Sequence, residues 1–158
     1  MEAITIDVVS DVVCPWCYLG RQRLEKAIDN VKDDLAVSVT FRPYQLNPDM
    51  PAEGVDHKKH LAEKLGGTDA VNRAHDMLAG LGNQDGIAFD FPAVKISPNT
   101  LDAHRLLRWA MIEGPQVQER VALALRRRLR YVHATSRQAH TNCFDGPGRP
   151  ACLSTTRL

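Results

Sequence analysis

The first 44 residues follow a strand, helix, strand order, and this order restricts the fold more than any other feature of the chain. Apolar and polar residues alternate in residues 3–9 and again from Val37 to Tyr44, which predicts two strands. Between them, apolar residues from Leu24 to Val31 recur at the spacing of one helix face. Such a succession predicts a right-handed crossover with a parallel strand pair. The expected fold class is therefore α/β.

Two cysteines lie where the first strand runs into the helix, in the order Cys14, Pro15, Trp16, Cys17. Proline suits the first position of a helix, so Cys14 falls at the cap and Cys17 one turn inside. A thiol there faces unpaired backbone N–H groups and the positive end of the helix dipole, which favour the thiolate. Because only the thiolate attacks disulfides, the pair is predicted to be redox-active.

A zinc site is the alternative chemistry for two cysteines at this spacing. It would need a second pair of ligands, and the chain offers Cys143, Cys152, His133 and His140. Their spacing matches no usual zinc pattern, whereas a pair that opens a helix after a strand is typical of redox sites. We therefore predict no metal, and keep zinc and two unreactive cysteines as less favoured alternatives.

Composition limits the setting of this chemistry. At 158 residues with 44% hydrophobic content, the chain suits one compact domain. No apolar run approaches the ~20 residues of a membrane helix, and the N-terminus lacks a charged segment followed by an apolar one. We therefore expect a cytoplasmic protein without a membrane partner. Four cysteines in that compartment indicate redox work rather than a disulfide framework.

Charge is distributed unevenly along the chain. The net charge is +1, but residues 126–158 contain seven arginines and one acidic residue, beginning with three consecutive arginines. An arginine-rich arm for nucleic acid is one interpretation of this segment. Only Tyr131 and Phe144 could interleave as stacking residues there, so we expect no nucleic-acid partner.

Three separated segments, residues 11–20, 41–48 and 99–106, carry a family resemblance. In order and spacing they resemble the cytoplasmic DsbA-like thioredoxin-fold oxidoreductases, the branch that includes FrnE-type proteins and is related to 2-hydroxychromene-2-carboxylate isomerases. The resemblance covers roughly residues 3 to 125. Three matching segments make it more specific than a lone pair of cysteines.

The resemblance assigns roles to the residues of the motif. It implies that Cys14 is the attacking nucleophile and Cys17 the resolving thiol, with Pro15 and Trp16 tuning the site. Strongly oxidising relatives carry a histidine between the cysteines, and Trp16 brings no such charge. We therefore expect a potential closer to roughly −270 mV than to roughly −120 mV. The redox-active disulfide is the only cofactor implied, with glutathione as an alternative co-substrate.

The resemblance also divides the chain. It implies a thioredoxin-like βαβ unit with the cysteine site in residues 1–50, a helical insertion in 51–128, and a basic, non-family-like tail in 129–158 that we expect to be poorly ordered. The second half of the thioredoxin fold, with its cis-proline segment, has no counterpart after Leu125. Two parallel strands alone leave open edges, so we expect marginal stability or a homo-oligomer.

Local patterns within the insertion predict helices and the places of some side chains. One helix runs from His57 to Leu65, and Thr68 is expected to cap the next. His104 could line a substrate groove or be a packed, hydrogen-bonded histidine. Two further expectations concern single side chains, namely that His57 and His60 lie on a solvated helix face rather than binding a metal, and that Met77 and Trp109 belong to the core.

Three functions follow from these observations. The first is a thiol–disulfide oxidoreductase that acts on protein or small-molecule thiols and disulfides through Cys14 and Cys17. The second, from the same branch, is a glutathione-dependent isomerase of the 2-hydroxychromene-2-carboxylate type, in which a serine stands at the attacking position. Cysteine at position 14 favours the first. The third is an inactive truncated chain that serves only as an interaction module.

Overall fold

The computed structural model describes residues 2–128, with side chains as far as Arg126, and it opens on a parallel strand pair joined by a helix. These elements are β1 (Glu2–Ser10), α1 (Pro15–Val31) and β2 (Leu35–Pro43). β1 pairs with β2 in parallel, from Glu2 opposite Leu35 to Ser10 opposite Pro43. The β–α–β unit is thus present, although β2 begins two residues earlier than predicted. The tail predicted for residues 129–158 lies outside the described residues.

Four further α-helices, a short 3-10 helix (Phe91–Ala93) and a short antiparallel strand pair complete the described part. In chain order they are β3 (Val55–Asp56), α2 (His57–Leu65), α3 (Thr68–Gln84), β4 (Ile96–Ser97), α4 (Leu101–Ile112) and α5 (Pro115–Arg128). β3 pairs with β4. Within the described residues, none of the helices combines the length and apolarity needed to cross a bilayer.

The ends of α2 and α3 show why the chain turns where it does. α2 has the predicted bounds because the Asp56 carboxylate accepts the Lys59 N–H at 2.8 Å and Gly66 adopts the left-handed φ of 86° that ends the helix. The predicted cap at Thr68 was wrong. Gly67 occupies the cap position of α3 without a side-chain hydrogen bond, and Thr68 is the first helical residue.

The core consists of two clusters that the helices build with the loops beside them. The first contains Leu19, Leu78, Ile87, Phe91 and Val94, and the second contains Val12, Leu107 and Ala122. No residue of β1 or β2 is buried. Of the predicted stripe on α1, Ala27 is exposed, and the buried residues of that helix are instead Leu19 and Arg21. The described core therefore lies among the helices rather than on the sheet.

The expected positions of three side chains were wrong. His57 is buried, because its Nδ1 lies 2.8 Å from the Ser97 hydroxyl on β4 and its ring stacks beside that of His75. Met77 is 56% exposed and Trp109 is 64% exposed, so neither belongs to the core. On α4 the buried side chains are spaced three residues apart on the face opposite Trp109; they are His104, Leu107 and Ala110.

Candidate active site

The first turn of α1 presents the two cysteines. Cys14 is the N-cap, with extended backbone angles, and Pro15 opens the helix. The Cys17 N–H donates to the Cys14 sulfur at 3.3 Å, so a thiol takes the place of the usual capping oxygen. An anionic sulfur at this position is favoured by the hydrogen bond and by the helix dipole.

Both thiols are free and partly exposed. Cys14 and Cys17 are half-buried, and Trp16 between them is 47% exposed. The site is thus accessible to another molecule, and the indole offers an apolar surface beside the sulfur atoms. A large partner could contact both at once.

The two thiols titrate as a pair. The hydrogen bond between their side chains lowers the pKa of Cys17 to about 6 and raises the pKa of Cys14. Burial opposes both thiolates, whereas backbone N–H groups of the first turn stabilise the Cys14 thiolate. Because the two sulfurs share one proton, the first ionisation belongs to the pair rather than to either residue.

Asp11 anchors the loop that precedes the cysteines. Its carboxylate is 1% exposed and accepts the Leu46 N–H at 2.8 Å, the Thr100 hydroxyl at 3.2 Å and Nε2 of His104 at 3.2 Å. Burial raises the pKa of Asp11, but the hydrogen bonds from His104 and Leu46 outweigh it, so the pKa lies below its ordinary value. The ionised carboxylate therefore ties α4 and the chain after β2 to the loop that carries Cys14.

An arginine from α5 is buried beside the same turn. The Arg126 side chain is 4% exposed, and its guanidinium carbon lies 5.6 Å from the ring centre of Tyr18, the residue after Cys17. Burial lowers the pKa of Arg126 to about 10, which still leaves it protonated at neutral pH. After the hydrogen bond from Cys14 and a backbone hydrogen bond, its charge further lowers the pKa of Cys17.

A family model described as the DSBA-like thioredoxin domain matches residues 5–140. The chain belongs to this DSBA-like family. Its fold is the thioredoxin-like DsbA fold, mixed α/β with five helices and few strands in the described residues. The match extends past residue 125, where we expected the likeness to end.

A solved structure carries the same likeness. The crystal structure of a probable DsbA oxidoreductase from Streptomyces coelicolor is 28% identical to this DSBA-like chain, with a TM-score of 0.67. The similarity covers 78% of this chain and 52% of that one. The chain therefore spans about half the length of that relative. Comparison with curated proteins gave no match.

Most residues of the predicted site lie together in the DSBA-like chain. Cys14, Pro15, Trp16 and Cys17 form the first turn of α1. His104 is 5% exposed and bonded to Asp11, as in the packed alternative rather than in an open groove.

Part of the alternative zinc site lies outside the described residues. Among residues 2–128, no group of three or more histidine, cysteine or acidic side chains could hold a metal ion. The other candidate zinc ligands, Cys143, Cys152, His133 and His140, lie outside that range.

Two charged residues of the site were not identified from the sequence. From the sequence, Asp11 stands out only as the first residue of the segment 11–20, and Arg126 only as the start of a run of arginines. A signal for Asp11 was present, because an acidic residue three positions before a helix-capping cysteine has backbone N–H groups within reach. No local signal existed for Arg126, which is 109 residues from Cys17 and reaches the site only through the packing of α5.

Proposed function

We propose that this chain exchanges disulfides with thiols, with Cys14 as nucleophile and Cys17 as resolving thiol. The observation that carries the proposal is the hydrogen bond from the Cys17 N–H to the Cys14 sulfur at the start of α1. It stabilises negative charge on the sulfur that caps the helix, which is what nucleophilic attack on a disulfide requires. Membership in the DSBA-like family supports the same chemistry.

The reduced pair would act in two displacements. The Cys14 thiolate attacks one sulfur of a substrate disulfide, the substrate S–S bond breaks, and its other sulfur leaves as a thiolate that takes up a proton. Cys17 then loses its proton and attacks the Cys14 sulfur of the mixed disulfide. The products are a reduced substrate and a Cys14–Cys17 disulfide, so two electrons pass from the pair to the substrate. The reverse sequence oxidises a substrate dithiol.

The setting of this reaction is also a proposal. We infer protein or small-molecule thiols and disulfides as partners, since half-buried thiols beside the exposed Trp16 are accessible to either. The pair itself is the redox group, and no metal, nucleic acid or membrane enters the reaction. We propose a cytoplasmic location and, because no residue of the β1–β2 sheet is fully buried among the described residues, association with a second copy.

The test is reduction of insulin driven by dithiothreitol. The wild-type chain should accelerate the reduction, and Cys14→Ser should abolish the acceleration because no thiolate remains at the helix cap. A chain with Cys143→Ser and Cys152→Ser is the matched control and should retain activity. Equal rates for the wild type and Cys14→Ser would overturn the proposal.

The order of attack is tested by trapping. In Cys17→Ser the first displacement can occur but not the second, so a mixed disulfide with substrate should accumulate on Cys14. Cys14→Ser should trap far less. This comparison matters because the mutual hydrogen bond lowers the pKa of Cys17 rather than that of Cys14. Stronger trapping through Cys17 would reverse the assigned roles.

The other two functions have distinct readouts. An isomerase of the 2-hydroxychromene-2-carboxylate type would need glutathione and an aromatic substrate, and Cys14→Ser would keep its activity because serine occupies that position in such enzymes. An interaction module would neither reduce insulin nor form a mixed disulfide in any variant. Either pattern would replace the oxidoreductase proposal.

A further inference from the structure

The surroundings of Arg126 differ from those of the other buried arginine. Arg21 on α1 pairs with the carboxylates of Glu25 and Glu119. By contrast, Nε and Nη1 of Arg126 are buried and have no hydrogen-bond partner among the described residues. A buried cation without a hydrogen-bonded anion is costly, so a charge retained there calls for a functional explanation.

Packing places this cation beside Tyr18, the residue after Cys17. Val121 and Leu125 of α5 pack against the cluster that contains Val12, two residues before Cys14. One residue beyond Leu125, the Arg126 guanidinium lies over the ring of Tyr18. Burial lowers the pKa of Arg126 most, and negative charge on Cys17 or Cys14 acts in the opposite direction and raises it. The helix thus fixes a positive charge at the turn where a thiolate forms.

We propose that Arg126 is the buried counter-charge of the reduced cysteine pair, which stabilises its thiolate and thereby favours the dithiol over the disulfide form. This inference rests on the redox role proposed for the pair. Trp16, between the cysteines, carries no charge. In this proposal a residue of α5 supplies the positive charge instead. Arg126 acts on the pair through space and is not itself a reacting group.

The redox equilibrium shows how the charge acts. Two glutathione molecules reduce the Cys14–Cys17 disulfide to one thiol and one thiolate, with formation of glutathione disulfide and release of one proton. Only the reduced side of this equilibrium carries an anion for Arg126 to stabilise. On the oxidised side the guanidinium keeps its desolvation cost without compensation. The Cys14–Cys17 disulfide should therefore be a stronger oxidant with the charge of Arg126 beside it than without that charge.

Other charges near the pair are already engaged. Asp11 would oppose a thiolate on Cys17, but its carboxylate is held by His104. Arg21 opposes protonation of Arg126, and Glu25, which Arg21 binds, also attracts Arg126. Tyr18 supplies the ring face. Among these groups, Arg126 is the cation without a bonded carboxylate in the described residues.

The experiment is a pH titration of the thiolate by its ultraviolet absorbance in the reduced chain. Arg126→Met keeps the length and packing of the side chain and removes the charge. We expect the titration midpoint to rise by about one unit, a ~10-fold fall in the ratio of thiolate to thiol. In glutathione buffers at neutral pH, the equilibrium should shift about 5-fold toward the disulfide. Arg120→Met, on the exposed face of the same helix, is the control and should change neither.

A second pair of variants keeps the test decisive if Arg126→Met does not fold. Arg126→Lys keeps the charge and should retain most of the wild-type ionisation, whereas Arg126→Gln should behave like Arg126→Met. A folded neutral variant with the wild-type midpoint would overturn the inference, and so would a lysine variant as defective as the neutral ones. Neither readout needs catalysis. If the wild type fails to reduce insulin but the midpoint still depends on Arg126, only the proposed function fails.

Discussion

Apolar side chains are less buried in the β1–β2 sheet than in the helices. Every residue of the two strands is exposed or half-buried, with Ile4 at 37% and Val9 at 62% exposure. In the helices and their loops, Leu19, Leu78 and Ile87 are no more than 2% exposed. Pairing satisfies the backbone groups that face each other across the two strands but does not remove the side chains from water. Stability should therefore come from the helical clusters.

The cysteine turn lies on the well-packed side of this division. Val12, two residues before Cys14, belongs to one helical cluster, and Leu19, two residues after Cys17, belongs to the other. The thiols are thus held between two packed groups while the strand that leads to them is exposed. We expect loss of core packing to disturb the site more than changes in the sheet.

The largest effect should come from the core of α3. Leu78→Ala should lower the free energy of unfolding by about 3 kcal/mol, because it leaves a cavity in the first cluster. Met77→Ala, one residue earlier on the same helix and 56% exposed, is the matched control and should cost under about 0.5 kcal/mol. Urea unfolding followed by circular dichroism measures both. Similar losses for the two variants would contradict the assigned packing.

The Asp11 network should have the next largest effect. Asp11→Asn should cost about 2 kcal/mol, because the buried carboxylate loses charge-assisted hydrogen bonds. The folded-state pKa of Asp11 lies below the ordinary value of a carboxyl group, so this stabilisation is present above that ordinary value and disappears as the pH falls through the folded-state pKa.

The difference in stability between wild type and Asp11→Asn should therefore shrink in acid, as measured by urea unfolding at several pH values. Asp102→Asn on α4, whose carboxylate is exposed, is the control and should change little. A difference that stays constant from neutral pH into acid would show that the Asp11 carboxylate is not the stabilising species.

A substitution in the β1–β2 sheet should lower the free energy of unfolding less. Ile6→Ala on β1 should cost about 1 kcal/mol, since the side chain is only half-buried. Unfolding measured over a range of protein concentrations tests this and the proposed association together. If the cost of the substitution grows with concentration, a second copy covers this face. A loss as large as that of Leu78→Ala in dilute solution would contradict the contrast between sheet and helices.

The smallest effect is expected at Trp109. Trp109→Gln should change stability by less than about 0.5 kcal/mol, because the indole is 64% exposed on the outer face of α4. Leu107→Ala, two residues earlier and buried, serves as the contrasting variant. Thermal unfolding distinguishes them, and a loss of several kcal/mol at Trp109 would mean that this face is covered.

Local sequence rules predicted the helices and strands better than they predicted which side chains are buried. β1, the start of α1 and the bounds of α2 followed from alternation, from Pro15 and from Gly66, because backbone preferences act over a few residues. Burial did not follow in the same way. His57 is covered by β4, and Trp109 faces outward although Leu107 and Ala110, close to it in sequence, are buried. Which apolar face meets a partner depends on distant segments.

The sequence by itself determined where the two thiols lie, because Cys14, Pro15 and Cys17 at the junction of a strand and a helix bring thiols to unpaired N–H groups through local geometry alone. Only the tertiary structure decided the charges around them. Asp11 reaches His104 and Thr100 across 93 and 89 residues, and Arg126 reaches Tyr18 through the packing of α5. Electrostatic interactions act through space, so no pattern along the chain reveals them.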